Sequence, residues 1–462
     1  MKITLKELQA AISSATVTAD AQVNGLVTDS RHIKKGDLFL ALRGEHFDAH
    51  DFLEAVALSG AAAVVAEHVP SGFGLPALLV PDSKLALQEI ARHWREKFSI
   101  PVIGVTGSNG KTTVKEMIAS ILVAHAGTEH CLSTTGNLNN EIGVPLTVLR
   151  LDQKHHCAVI ELGMNHPGEI ALLASVAMPT VGLVNNAQRE HQEFMQSVDA
   201  VAQENGSVLQ GLPTNGTAVF PANDTYTDLW RTLAAESGCH KVLTFGLSND
   251  VTEKADVSAT YQTNDFGSYI LISVGESNFP VRLSAAGAHN VLNALAAVAC
   301  CHAIGVPNEI ITRGLEVFQP VNGRLQRKLG LAGAIIIDDT YNANPDSVRA
   351  AIDVLAQSGT AGILVLGDMG EVGSEGISFH HEIGAYARER GIAQLLTLGD
   401  LAQHAALAFG DGARHFTQIQ EMQQVLDACI LPNSTVLIKG SRFMKMERVV
   451  THLTKQQSIG NH

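Results

Sequence analysis

Short apolar runs rich in Val, Ile and Leu, each closed by glycine, asparagine or aspartate, recur along this chain. Between them lie longer stretches whose apolar positions repeat at helical spacing. That alternation predicts parallel α/β sheets. The clearest helix falls within 82–98: Asp82 and Ser83 offer caps, and Leu87, Ile90, Ala91, Trp94 and Phe98 recur at i, i+3, i+4, i+7 and i+11. Pro101 then opens a β-run over 101–106, and a new unit begins. A second break, Gln319-Pro320-Val321-Asn322-Gly323, follows a helical stretch over 309–318; beyond it, 334–338 and Gly362–Gly367 are β-runs, each followed by loop and helix. Three α/β units result, 1–99, 100–319 and 320–462, in keeping with about 150 residues per domain.

Composition narrows the classes. Apolar residues make up 45% and charged residues 17%, enough apolar material for several cores and too little charge for a disordered chain. The net charge of −14 offers no field to attract a phosphate backbone, so a nucleic-acid partner is not expected and an anionic ligand must be held by local groups. The most apolar stretches, 55–66 and 294–306, are short or interrupted by Ser, Gly and His, so no membrane insertion is expected. Met1-Lys2-Ile3-Thr4-Leu5-Lys6-Glu7 carries charge where a signal peptide needs an apolar core. Six cysteines show no metal-ligand spacing. The expectation is a reduced, cytoplasmic protein, and a monomer, since no exposed apolar seam is visible.

One segment carries specific chemistry: Gly104-Val105-Thr106-Gly107-Ser108-Asn109-Gly110-Lys111-Thr112-Thr113, set between a β-run and a helix expected over 113–123. Glycines let the backbone curl so that several N–H groups face one anion, and the helix N-terminus adds partial positive charge. Lys111 is placed to reach terminal phosphates and Thr112 to ligate Mg²⁺, making Gly107, Ser108, Asn109, Gly110, Lys111, Thr112 and Thr113 the expected nucleotide-binding residues. The strict phosphate-loop pattern has glycine where this chain has Val105, so the match is a variant, Thr-Gly-x-x-Gly-Lys-Thr-Thr.

Such a loop serves motors, kinases and ligases alike, so its partners decide the reaction. The β-run over 157–160 delivers Glu161 to a strand end, where a carboxylate can hold Mg²⁺ or be an ordinary solvated acid. The run over 181–186 is followed by His191, which alone reads more simply as structural. Asn290 and Asn293 share one helix face and suit an adenine edge or an ion-bound water; capping is the plainer role of Asn290. After the second break come Arg324 and, at the end of a β-run, Asp338-Asp339, before an Asn/Pro loop where open α/β sheets place ligand contacts.

Together these motifs resemble the Mur ligase family of cell-wall precursor synthesis, and the resemblance runs through all three units. It includes Asp29-Ser30-Arg31 with Lys35-Gly36-Asp37-Leu38-Phe39-Leu40-Ala41-Leu42-Arg43-Gly44, the phosphate loop, and Gly136-Asn137-Leu138-Asn139-Asn140-Glu141. In the last unit it covers Tyr341-Asn342-Ala343-Asn344-Pro345, Leu366-Gly367-Asp368-Met369-Gly370-Glu371 and Lys439-Gly440-Ser441-Arg442. The Asn-Ala-Asn-Pro and Gly-Asp-Met runs point to the branch that adds D-alanyl-D-alanine to a UDP-N-acetylmuramoyl tripeptide. The resemblance implies an α/β fold of three domains: a small N-terminal UDP-binding domain, a central P-loop ATPase-like parallel-sheet domain, and a C-terminal Rossmann-like domain for the incoming dipeptide. It implies an ATP- and Mg²⁺-dependent amide ligase working through an acyl phosphate on the tripeptide's carboxylate.

Carried over residue by residue, the resemblance puts Lys111 and Thr112 on phosphates and Mg²⁺, with Glu161 and His191 on a second metal side. It gives Asn290 and Asn293 to the nucleotide, and Arg324 and Asp339 to the nucleotide once the domains close. Ser30, Arg31, Thr135 and Asn137 fall to the UDP-sugar, and Asn342 and Asn344 to the dipeptide. In one departure, the family commonly carries a carbamoylated lysine after the His191 strand, whereas this chain reads Ala202-Gln203-Glu204-Asn205-Gly206. Glu204, or a bound water, is the expected substitute for that negative charge. Rival readings are another Mur ligase, a folylpolyglutamate synthase-like ligase, or, in a different class, a P-loop kinase or ATPase.

Overall fold

The computed structural model describes residues 1–248, 254–264, 267–358 and 362–454, so the end of the third unit, 455–462, lies outside the described residues. The chain is α/β, with three main sheets in succession along the sequence. The first, from Thr16–Val17 to Ala77–Leu79, has five strands, parallel except at the Thr16–Val17 edge, and a small antiparallel pair, Ile3–Thr4 with Gln22–Val23, lies beside it.

At the end of the first unit, helix Ser83–Arg95 is capped by Asp82, whose side chain accepts from the N–H groups of Lys84 and Leu85. Its buried face carries Leu87, Ile90, Ala91 and Trp94. That face packs on the central unit: Trp94 Nε1 donates to Leu151 O (2.9 Å), and Arg95, 4% exposed, donates to Ala177 O (2.9 Å) and Met178 O (3.1 Å). The guanidinium thus satisfies carbonyls left open at the C-terminus of helix Glu169–Ala177. The first and central units therefore share one continuous core.

The central sheet has nine strands. One of its inner strands, Val102–Thr106, is buried at every position and lies between Cys157–Glu161 and Val181–Val184, parallel to both. A continuous apolar run is what a parallel strand covered on both faces requires. Beyond Lys241–Leu247 the sheet changes character: Val257–Asn264, Gly267–Val274 and Ser277–Leu283 form an antiparallel meander, in which Gly267–Val274 alternates buried and exposed positions. That alternation marks a sheet with one face in solvent, an antiparallel extension added to the parallel sheet expected.

The third sheet runs in the order Gln326–Leu329, Ile335–Asp339, Thr435–Lys439, Gly362–Gly367, Gln394–Leu398, Ala413–Phe416, parallel except at the first strand. Neighbouring strands place Asp339 beside Lys439 at their carboxyl ends. Among the described residues no helix is long and apolar enough to cross a membrane, and the six cysteines are free thiols.

Candidate functional site

A cavity of about 890 Å³ lies where the carboxyl ends of central and third-unit strands face each other, with the phosphate loop on its wall. The loop leaves Val102–Thr106 through Gly107 (φ +132°) and Gly110 (φ +82°), backbone conformations that side chains rarely adopt. A Cβ on Gly110 would stand 2.4 Å from Asn293 Oδ1, so glycine is required for packing as well. Because Gly110 supplies the left-handed turn, helix Lys111–Ala126 starts two residues before the expected position, at the lysine itself.

Asparagines hold this loop from outside. Asn205 Oδ1 accepts from Gly107 N and Asn186 Oδ1 from Asn109 N, both at 2.9 Å. Asn185 Nδ2 donates to Asn109 O (2.8 Å) and to Asn293 Oδ1 (2.9 Å). Asn293 in turn donates to Asn290 Oδ1 (3.3 Å), and Asn290 donates to Ala286 O (2.8 Å). Helix Ala288–Ala303 has Gly287 at its cap, so Asn290 is not the cap; both asparagines line the cavity and brace the loop.

Thr112 is the meeting point. Its hydroxyl donates to Glu161 Oε1 (3.1 Å) and accepts from Arg324 Nη2 (2.9 Å), a residue of the third unit. Asn139 Nδ2 also donates to Glu161 Oε1 (2.9 Å), while Glu161 Oε2 is buried with no partner among the described residues. Glu161 is 2% exposed, and a buried carboxylate oxygen left unsatisfied is costly unless a cation meets it. A threonine hydroxyl beside a free carboxylate oxygen suits Mg²⁺, which keeps several waters and substrate phosphates in its shell. Among the described residues, no group of three or more His, Cys, Asp or Glu is placed to hold a metal ion.

Lys111 folds back onto Gly107 O and Ser108 O and pairs with Glu190 Oε2 (3.2 Å). Glu190 is 6% exposed and its Oε1 has no partner among the described residues. His191, in a left-handed conformation (φ +47°), sets Nδ1 2.7 Å from Glu371 Oε2 of the third unit, and the imidazole holds the Glu371 carboxyl below its ordinary range.

On the third-unit side, the Arg324 guanidinium lies over the Tyr341 ring (4.2 Å). Asp339 pairs with Lys439 Nζ (2.6 Å) and accepts from Leu325 N (3.1 Å); burial raises its carboxyl above the ordinary value, against the pull of the ammonium. Asn344 caps helix Pro345–Ala356 through Oδ1 and donates its amide to Asn109 Oδ1 (2.9 Å). Asn342 spends Oδ1 on Ala343 N, and its carbonyl accepts from Lys439. Arg324 thus stands at the phosphate loop in this structure, whereas Asp339 is engaged within its own unit.

Glu204 is a correction. Its carboxylate accepts from Gly168 N (2.8 Å) and Ile170 N (2.7 Å) at the start of helix Glu169–Ala177, and it does not line the cavity. It satisfies open N–H groups of a helix N-terminus and complements the dipole there. The acid beside Lys111 is Glu190.

The expected UDP-sugar residues lie elsewhere. Ser30 and Arg31 sit on an exposed turn, Ser30–His32, where the Arg31 guanidinium pairs with Asp29 (2.7 Å). Thr135 Oγ1 accepts from Arg150 (3.0 Å), and Asn137 is exposed. None of the four lines the cavity. Residues missed from sequence are Asn185, Asn186, Gln188, Glu190, Glu371 and Lys439. The one available signal was Asn185-Asn186 at the end of a strand adjacent to the one that carries the loop.

Comparison with known proteins places this architecture. Residues 22–95 match the model described as Mur ligase family, catalytic domain; 105–301 match the Mur ligase middle domain, and 323–442 the Mur ligase, glutamate ligase domain. A protein of Escherichia coli (strain K12), UDP-N-acetylmuramoyl-tripeptide–D-alanyl-D-alanine ligase, is 37% identical over 456 residues, 98% of each chain. The crystal structure of MurF from Acinetobacter baumannii superposes with a TM-score of 0.90 at 34% identity, covering 98% of each chain. MurF ligase from Thermotoga maritima in complex with ADP gives 0.81 at 26% identity, over 93% of this chain and 97% of that one.

Proposed function

The chain belongs to the Mur ligase family, and on that premise we propose that it uses ATP to join D-alanyl-D-alanine to the free carboxylate of a UDP-N-acetylmuramoyl tripeptide. The observation that carries this reading is the convergence on Thr112. One hydroxyl links the phosphate loop, a buried carboxylate with an unused oxygen, and an arginine from the other wall of the cavity.

The chemistry asks for charge control and positioning. A carboxylate acylates poorly, so its oxygen takes the γ-phosphoryl group and ADP leaves; the dipeptide amine then attacks the carbonyl, the C–O bond to phosphate breaks, and the amine loses a proton. Two anions must meet in the first step. Lys111 turns from Glu190 to the terminal phosphates, and Arg324 adds a second fixed cation. Thr112 and Glu161 would hold Mg²⁺, which when bound neutralises phosphate charge. His191 faces the same space from the metal side, where Glu190, not Glu204, supplies the further acid.

Asn290 and Asn293 present their edge to the nucleotide while bracing the loop, and Asp339 with Lys439 frames its third-unit side. Ser30, Arg31, Thr135 and Asn137 serve the UDP-sugar end of a long substrate, outside the cavity, and Asn342 and Asn344 serve the dipeptide. In these terms 1–99 binds the UDP-muramoyl peptide, 100–319 binds ATP and 320–462 binds the dipeptide, in a cytoplasmic monomer.

The test is co-substrate dependence. Phosphate release should require both UDP-N-acetylmuramoyl tripeptide and D-alanyl-D-alanine, and mass spectrometry should find the pentapeptide product. Phosphate release with the dipeptide omitted, or acceleration by glutamate in its place, would favour an ATPase or a folylpolyglutamate synthase-like ligase instead.

A further inference from the structure

Segment 185–191 leaves strand Val181–Val184 and reaches the short helix Gln192–Met195. Asn185, Asn186 and Gln188 bond to the phosphate loop and Glu190 to Lys111, and His191 lies at ion-pair distance from Glu371. Arg189 alone turns to the helices of the third unit. Its guanidinium makes two forks: Nε (3.1 Å) and Nη2 (2.6 Å) donate to Asp346 Oδ1, with Nε also 3.2 Å from Oδ2, while Nη1 (2.7 Å) and Nη2 (3.1 Å) donate to Glu382. Its backbone N–H also donates to Asp346 Oδ2 (2.9 Å). The guanidinium centre lies 5.3 Å from the Phe379 ring, and Arg349 shares Glu382 (3.1 Å).

We propose that Arg189 is a positioning residue that clamps the third unit onto the central one, so that Arg324 and Asn344 stay seated against the phosphate loop and Glu371 against His191 during the ligation proposed above, on which this inference rests. A lone surface ion pair would carry no such role. Here two bidentate carboxylates engage one partly buried guanidinium, the geometry that gives arginine both strength and direction. The segment also has little slack. Gln188 on one side and Glu190 on the other are bound to the loop and its lysine, so the third unit cannot shift without breaking either the clamp or those bonds. Asp346 lies in the first turn of the helix whose cap, Asn344, touches Asn109, so the clamp and the loop contact move as one body.

The test compares the full-length enzyme with Arg189→Ala, Glu382→Ala, the double variant and Arg189→Lys. Each single alanine should lower kcat by about tenfold or more, as truncating one partner of a close charge pair does. The double variant should be no worse than the worse single, and lysine, which cannot fork, should recover only part. With the non-hydrolysable nucleotide AMP-PNP and Mg²⁺ bound, small-angle scattering should give both alanine variants a larger radius of gyration than the unmodified enzyme. The proposal is overturned if kcat and the radius are unchanged, or if Arg189→Ala is impaired while Glu382→Ala is not, since the arginine would then act only within its own segment. Should Arg189→Ala unfold, Glu382→Ala tests the same contact from the other side. Absence of amide product from the unmodified enzyme would refute the ligase reading, while the scattering comparison would still judge the clamp.

Discussion

The phosphate loop and segment 185–191 lie against each other but are stabilised in opposite ways. The loop takes its shape from two glycines in left-handed conformations and from the helix that begins at Lys111, so its anion-facing groups are largely backbone. Segment 185–191 takes its shape from side chains whose partners sit in the loop and in the third unit. The contrast separates two jobs: the loop presents charge, and the segment relays the seating of one unit to the other. Damage to the first should appear in the chemical step with the fold intact, and damage to the second in the geometry of the units.

Lys111→Ala is the sharpest break, because it removes the loop's cation and leaves the buried Glu190 without its ion pair. Turnover should fall by about 10³-fold or more, far out of proportion to the drop in melting temperature that the unpaired Glu190 brings, and a variant with full activity would remove the loop from the chemistry. Next come two carboxylates that sequence alone confuses. Glu161→Gln should cut kcat by about 10–100-fold and raise the Mg²⁺ concentration needed for half-maximal rate. Glu204→Gln should leave that titration unchanged and instead cost about 0.5–2 kcal/mol of stability, as loss of a helix N-terminal acceptor does. The reverse pattern would restore Glu204 to the metal side.

Gly110→Ala sharpens the comparison from the backbone side. With φ at +82° and Asn293 Oδ1 in the way of a Cβ, it should destabilise by about 1–3 kcal/mol, read in urea unfolding. An unchanged midpoint would mean that the asparagine brace yields freely.

The smallest effect concerns pH. His380 is fully buried, accepts from Met369 N (2.9 Å) and sets Nδ1 against Gly376 O (2.6 Å), an arrangement that fits the neutral ring; burial lowers its pKa below the ordinary 6.5. The unfolded chain therefore takes up the proton first. The stabilisation is complete above the unfolded value and is lost as pH falls through it toward the lower folded value. Melting temperature should drop between about pH 7.5 and 5.5, and less steeply in His380→Gln. Equal slopes would assign the acid sensitivity to other groups.

These outcomes also mark what the sequence could disclose. The loop was legible because strand, glycine turn, lysine and helix are contiguous, and Glu161 because a strand end fixes where an acid stands. The helix start was misplaced by two residues because a left-handed glycine can occupy the cap. Glu204 was misassigned because helical spacing does not say which side of a helix faces the site. Glu190 gives no signal because its partner, Lys111, lies 79 residues away. The meander over 257–283 shows an alternating pattern that was available in the sequence, yet the parallel runs around it dominated the reading. Arg31 illustrates the converse: a motif identifies it, while among the described residues its guanidinium pairs with Asp29, its own near neighbour in sequence.

The central claim is that ATP converts an inert carboxylate into an acylating agent at the cavity between the central and third units. The most direct measurement labels the tripeptide's terminal carboxylate with oxygen-18 and follows one turnover with ATP, Mg²⁺ and D-alanyl-D-alanine. The account predicts one labelled oxygen in each orthophosphate released; unlabelled phosphate accompanying amide product would contradict it.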